Sequence, residues 1–191
     1  MVKGIDVSEN NGIVNWQAVA DAGIKFAIVR SSYGRNSRDE YFLQNVEGAH
    51  AAGLRCGAYH YGYALNPEQA RREAQNCKQA IEDAGVLLEL PVFYDMEDAD
   101  GYKRRYGFDF SAENITEICR VFLEEIKPLD CGIYASLSWL DNYIDWQGLG
   151  CAVWSAQWSS HDDFKGYMWQ YTSKLNIGGK IFDGNILYLD W

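Results

Sequence analysis

Two carboxylates with one residue between them, Asp95 and Glu97, end the apolar run PVFYDMED at positions 91–98. In an extended strand, residues two apart share a face, with Cα atoms about 6.6 Å from each other. Phe93, Asp95 and Glu97 therefore point one way, and Tyr94 and Met96 the other. GIDVSENNG, from position 4, carries Asp6 and Ser8 on one face, and IFDGNILYLD, from position 181, carries Asp183 and Asn185 in phase. Four acids from three strands, Asp6, Asp95, Glu97 and Asp183, would crowd like charge if they met at one mouth, raising the proton affinity of at least one of them. A protonated Glu97 beside an ionised Asp95 is what cleavage of a glycosidic bond requires: an acid for the leaving oxygen and an anion for the positive charge developing on the sugar. Taken alone, a D-x-E at a strand end equally suits a solvated edge or a helix-capping loop. Asp98 and Asp100, outside the apolar run, read as solvated loop residues.

Aromatic side chains recur with period two: Tyr59, Tyr61 and Tyr63; Trp154 and Trp158; Tyr167, Trp169 and Tyr171. Flat rings pack on the apolar faces of sugars while phenol and indole groups donate hydrogen bonds, so Tyr63 and Trp154 are candidates for a glycan groove; filling a barrel is the competing role. His60, out of phase with its tyrosines, reads as a hydrogen-bonded core or wall residue. His50 and His161 read as incidental. Without neighbouring His or Cys ligands there is no transition-metal signature, and no metal or cofactor is expected, although the acids would suit a hard cation. Cys56, Cys77, Cys119, Cys131 and Cys151 are odd in number and contain no C-x-x-C pair, as for buried, reduced thiols in a protein made in a cytosol.

The elements that must position these residues alternate. GIDVS, KFAIVRSS, RCGAYHYGY, LPVFYDME and DCGIYAS read as strands, separated by helical segments beginning at Asn15, Glu40, Asn66 and Ser111, with a shorter helix over LSWLDNYI. Asn66 is a helix cap, Pro67 a first helical residue and Gly85 a stop. Strand and helix in this order give parallel strands with right-handed crossovers. The last third differs: CAVWSAQW, GYMWQYTS and IFDGNILYLD are separated by segments too short for a helical crossover, so these strands are expected to meet as hairpins. The fold class is therefore α/β: a flattened eight-stranded TIM-like barrel, five strand–helix units followed by three strands with little or no helix. The final strand would lie beside the first, bringing Asp6 and Asp183 together.

The chain has 191 residues, 48% hydrophobic and 15% aromatic, enough for one domain over residues 1–191. With 27 acidic against 17 basic side chains its net charge is -10, which argues against nucleic acid or an anionic membrane as partner. No apolar run approaches the roughly 20 residues of a membrane helix, and Met1 to Ser8 lacks the basic and apolar regions of a secretory signal. A monomer is expected.

In order along the chain, GIDVSENNG, GAYHYGY, VFYDMED, VWSAQW, WQYT and FDGN resemble the glycoside hydrolase family 25 lysozymes, which are N-acetylmuramidases, over residues 4 to 190. The resemblance implies a flattened barrel and hydrolysis of the β-1,4 bond between N-acetylmuramic acid and N-acetylglucosamine in peptidoglycan. It implies Glu97 as general acid, later base, and Asp95 as its partner, with Asp6 and Asp183 as further acids of the cleft. Tyr61, Trp169 and Asn185 fall in motifs that border the groove. Two routes fit the pair: attack by Asp95 to form a glycosyl-enzyme, or attack by the substrate's acetamide with Asp95 stabilising an oxazolinium ion. Synthesis in a cytoplasm with phage-type release to the wall, or export within a longer chain, fits such an enzyme. The rival classes are a non-catalytic glycan-binding barrel and a metal-assisted hydrolase using the same acids.

Overall fold

A computed structural model describes residues 1–188; Leu189 and Asp190, the expected end of the last strand, lie outside the described residues. The strands are β1 (Val2–Val7), β2 (Phe26–Tyr33), β3 (Ser37–Arg38), β4 (Arg55–Tyr61), β5 (Val92–Asp95), β6 (Cys131–Ser136), β7 (Ala152–Ala156), β8 (Met168–Ile177) and β9 (Lys180–Leu187). β1 pairs parallel with β2 and antiparallel with β9, closing a ring. Parallel pairing runs from β2 through β4, β5, β6 and β7 to β8, and β9 lies antiparallel to β8. The expected eight-stranded barrel is present, with the two-residue β3 added at the end of β2.

The helices are α1 (Trp16–Asp21), α2 (Phe42–Ala51), α3 (Pro67–Ala84), α4 (Tyr102–Arg105), α5 (Ala112–Glu125), α6 (Leu137–Asn142) and α7 (Trp146–Leu149). α3 starts and stops where its sequence dictates. The Asn66 side chain accepts from the Gln69 N–H at 3.0 Å, Pro67 occupies the first turn, and Gly85 takes the left-handed conformation that ends it, with φ 63°. α5 buries Ile115, Ile118, Val121 and Phe122.

Strand alternation divides the core into two layers. Ile5, Val7, Ala27, Val29, Ala58, Tyr94, Ile133 and Val153 face the helices. Phe26, Ile28, Phe93, Tyr134, Trp154, Met168 and Leu187 fill the barrel interior. His60 belongs to the outer layer as a buried wall residue, its Nδ1 at 2.8 Å from Ser32 Oγ. All five cysteines are free. Among the described residues no helix is long and apolar enough to cross a membrane.

One expected connection is corrected. β7 and β8 do not form a hairpin; they lie parallel, with Trp154 opposite Met168. β7 stops at Ala156 and β8 starts at Met168, both inside the limits that the aromatic pattern implies, so residues 157–167 are long enough to return along the barrel without a helix. Asp162 organises that return, accepting from the N–H groups of Phe164 at 3.0 Å and Lys165 at 3.1 Å and from the Tyr188 hydroxyl at 2.7 Å. The hairpin expectation holds for β8 and β9, which turn at Gly178 and Gly179, with φ 60° and 89°.

Candidate active site

Asp95 is the last residue of β5 and is buried; Glu97 follows just past the strand end and is partly exposed. Both line a cleft of about 380 Å³ at the barrel mouth, the end where parallel barrels carry their loops. The phase read from the sequence survives the end of the strand. Phe93 packs inside the barrel against Trp154, centroids 5.4 Å apart, while Tyr94 and Met96 face the helices. The exit of β5 is fixed on both sides, by the Gly62 N–H to the Asp95 carbonyl at 3.0 Å and the Met96 N–H to the Tyr134 carbonyl at 2.9 Å. Beneath it lies Lys103 of α4, 1% exposed, whose ammonium donates to the Glu97 carbonyl at 2.7 Å and to the Gly62 carbonyl. Asp98 is half-buried rather than solvated, because its carboxylate accepts from the N–H groups of Lys103 at 2.7 Å and Arg104 at 3.2 Å and so starts α4. Asp100 is exposed, as expected, and accepts from the Tyr63 hydroxyl at 3.0 Å.

Asp6 and Asp183 stand opposite each other across β1 and β9 and line the same cleft. One oxygen of Asp6, Oδ2, accepts from Asn185 Nδ2 at 2.7 Å and from Gln170 Nε2 at 3.0 Å. Asn185 accepts in turn from the Trp154 indole at 2.9 Å. Gln170 Oε1 accepts from the Tyr134 hydroxyl and from the Trp158 indole, each at 3.0 Å. Arg30, also in the lining, is held between Asp39 at 2.8 Å and Glu9 at 2.9 Å. Asp95 contrasts with Asp6: its Oδ1 is buried with no hydrogen-bond partner among the described residues.

Burial is the first cause of every proton-affinity shift among these acids. It holds Glu97 up to about 7, with Lys103 opposing and Asp100, Asp183 and Asp98 adding to the rise. Asp95 is raised well above the ordinary carboxylate value by burial and by the charge of Glu97, against Lys103. Asp6 is raised by burial and then by Asp183, and Asp183, the more open of the two, is raised by burial. Within each of the pairs Asp6–Asp183 and Asp95–Glu97, charge on one acid disfavours ionising the other. Among the described residues no three His, Cys, Asp or Glu side chains are placed to hold a metal ion.

A cleft at a barrel mouth that holds four acids, one of them held up to about 7, has the form of a glycosidase site, and comparison with known proteins narrows it. Glycosyl hydrolases family 25 matches residues 5–180. The chain belongs to this family. Lysozyme M1 of Streptomyces globisporus is 30% identical over 93% of this chain and 64% of its own, so the chain spans less than two thirds of that relative's length. The CTP1L endolysin superposes with a TM-score of 0.84 at 26% identity, covering 98% of this chain and 66% of that one. A family 25 glycosyl hydrolase from Bacillus anthracis shares the fold, with a TM-score of 0.82 at 24% identity over the whole of this chain and 90% of the other.

The residues singled out by family 25 resemblance and by aromatic phase do not all reach the cleft. Asp6, Asp95, Glu97, Asp183, Tyr61 and Trp154 line it. Tyr63 lines an adjoining groove that it shares with Tyr61 and Arg30. Asn185 is fully buried behind Asp6 and acts through it. Trp169 is a correction: Met168 and Gln170 face inward, so Trp169 turns to the outer side of β8, packs on Tyr171 with centroids 5.7 Å apart, and donates to the Gln157 carbonyl at 2.8 Å. Here the crossover loop rather than a helix covers the strand, giving the outer face a use for aromatic side chains. Gln170, Tyr134, Arg30 and Lys103 escaped sequence reasoning. A single Gln between aromatics in MWQYT was the available signal for an inward polar phase. Lys103, in an unremarkable basic stretch, offered none.

Proposed function

We propose that this chain hydrolyses the β-1,4 bond between N-acetylmuramic acid and N-acetylglucosamine in bacterial peptidoglycan, with Glu97 as general acid and base and Asp95 as the partner carboxylate. The lysozyme and the endolysin that it resembles support the wall as substrate. The observation that carries the roles is the Asp95 carboxylate: buried at the strand end beside Glu97, with one oxygen lacking a donor. A 2-acetamido N–H supplies a donor to that oxygen. Accepting it stabilises the ionised form of Asp95 and leaves the proton on Glu97, the assignment the chemistry needs.

The acetamide carbonyl oxygen, polarised in this way, attacks the anomeric carbon as the bond to the leaving oxygen breaks, and Glu97 delivers its proton to that oxygen. Asp95 balances the oxazolinium charge. Glu97, now ionised, takes a proton from water as the water opens the ring and restores the acetamide. Asp6, fixed by Asn185 and Gln170, and Asp183 surround the same sugar, and the exposed Trp158, its indole tied to Gln170, offers a flat face at the rim. With a net charge of -10, contact packing and hydrogen bonds rather than long-range attraction hold an anionic wall.

Glu97→Gln tests the reading. It keeps shape and polarity but has no proton to give, so turnover of purified peptidoglycan is expected to fall by about three orders of magnitude or more while binding of wall fragments persists. Full lytic activity in this variant contradicts the reading. Turnover of the parent protein in EDTA is expected to be unchanged; its loss supports the metal-assisted alternative.

A further inference from the structure

A second groove, of about 260 Å³, adjoins the cleft and shares only Glu97 and Ala99 with its lining. Its walls come from α4, the end of β6 and α6: Arg104, Ser136, Trp139 and Tyr143, with Phe110 between them. Phe110, Trp139 and Tyr143 form a chain of rings, centroids 6.1 Å and 5.8 Å apart. Tyr143 is 36% exposed at its open side.

The cleft and its two adjoining grooves contain two cations in their linings, Arg30 and Arg104. Arg30 is neutralised by Asp39 and Glu9. The guanidinium of Arg104 has no carboxylate partner among the described residues. Asp98, in the same groove, spends its oxygens on the backbone N–H groups of Lys103 and Arg104, and Glu97 faces the cleft reaction. An unpaired guanidinium beside a row of aromatic rings, in a groove whose lining includes Glu97, offers a carboxylate a fork of N–H groups and a sugar or peptide a flat floor. In a chain this acidic, such a cation is the exception at the site.

We propose that this groove is a subsite for an anionic arm of the glycan: Arg104 pairs with a carboxylate on the lactyl-peptide substituent of a muramic acid residue while Trp139 and Tyr143 pack against the saccharide that carries it. The subsite rests on the peptidoglycan reading and deepens it, because it distinguishes decorated wall from plain amino-sugar polymer. A lactyl carboxylate and a stem-peptide carboxylate share the required chemistry.

Steady-state hydrolysis by the parent protein, Arg104→Gln and Arg104→Lys on three preparations of one peptidoglycan separates the cases: strands with their peptide carboxylates free, the same strands with all carboxylates amidated, and strands stripped of peptide by an amidase. On the first, Arg104→Gln is expected to raise KM about fivefold, the scale of an exposed ion pair, and Arg104→Lys to recover part of it. On amidated strands the variant and the parent are expected to coincide. A penalty that appears on stripped strands as well shows that Arg104 also takes the lactyl carboxylate that the amidase frees from its amide to the peptide, and one confined to peptide-bearing strands assigns the contact to the peptide alone; either supports the subsite. A penalty that amidation leaves unchanged, or no penalty on any preparation, overturns it. If the parent protein cleaves none of the three, the peptidoglycan reading itself fails, a result distinct from either outcome for Arg104.

Discussion

Asp95 and Glu97 are neighbours in the chain but are held differently, and the difference sets what each substitution does. Glu97 has its backbone tied down by Lys103 and its carboxyl left partly open, so its proton can be given and recovered. Asp95 is buried and waits for a donor. Asp95→Asn keeps the size of the side chain but removes the charge that, in the proposed mechanism, balances the oxazolinium, so hydrolysis is expected to slow by about a hundredfold or more. An effect no larger than that of an exposed substitution would mean that the partner carboxylate lies elsewhere. The parent protein carries a pH signature as well. With Glu97 held up to about 7, the acid form is lost as pH rises through that value, and turnover is expected to fall on the alkaline side there. A rate flat from pH 6 to 9 contradicts Glu97 as the donor.

At the level of elements, β5 and α4 work as a unit. The chain leaves β5 at Asp95, passes Glu97, and is gathered by Asp98 into the first turn of α4, which returns Lys103 beneath the acids. Lys103→Met removes both the tether on the Glu97 carbonyl and the cation that opposes the rise in Glu97's proton affinity. The alkaline limb of the pH–rate profile is expected to move to higher pH, with lower maximal turnover; a limb that stays in place shows that Lys103 serves only the fold. None of this was legible in the sequence, because a buried lysine six residues from Glu97 carries no periodic signal. What was legible came from period two: Asp6 with Ser8, Phe93 with Asp95, and Asp183 with Asn185 share faces as read. Period two also misled at β8, since it gives the two faces of a strand without saying which is inward. Trp169 and Tyr171 fit a barrel interior as well as Gln170 does, and only the closed ring and the loop at 157–167 decide between them. That loop also hid the parallel return from β7 to β8, because the strands stop short of where their aromatic pattern ends.

The whole molecule records the site as a dependence of stability on pH. Glu73, buried under the Tyr94 hydroxyl, is held up to about 7 by burial, as is Glu97, and Asp6, Asp95, Asp183 and Asp39 are raised in the same sense. Each binds its proton more tightly folded than unfolded. The stability that Glu73 and Glu97 contribute is complete below about pH 4.5 and is lost as pH rises through about 7, and the four aspartates act in the same direction. His60, pushed down to about 3 by burial, Lys103 and Arg30, acts oppositely, losing stability as pH falls below about 6.5. Six acids outweigh one imidazole, so the melting temperature is expected to be several degrees lower at pH 8 than at pH 5, and Glu73→Gln to flatten the slope. A higher melting temperature at pH 8 would show that the acids are not buried as described. The closure of β1 on β9, which brings Asp183 to Asp6, joins this buried charge to the chemistry: it places two acids from opposite ends of the chain beside the pair from its middle. What that cluster cuts is read most directly from the new chain ends. Purified peptidoglycan digested with this protein, reduced with borohydride and analysed by mass spectrometry, is expected to carry the new reducing ends on N-acetylmuramic acid. Reducing ends on N-acetylglucosamine, or released peptides with intact glycan strands, would contradict the assignment.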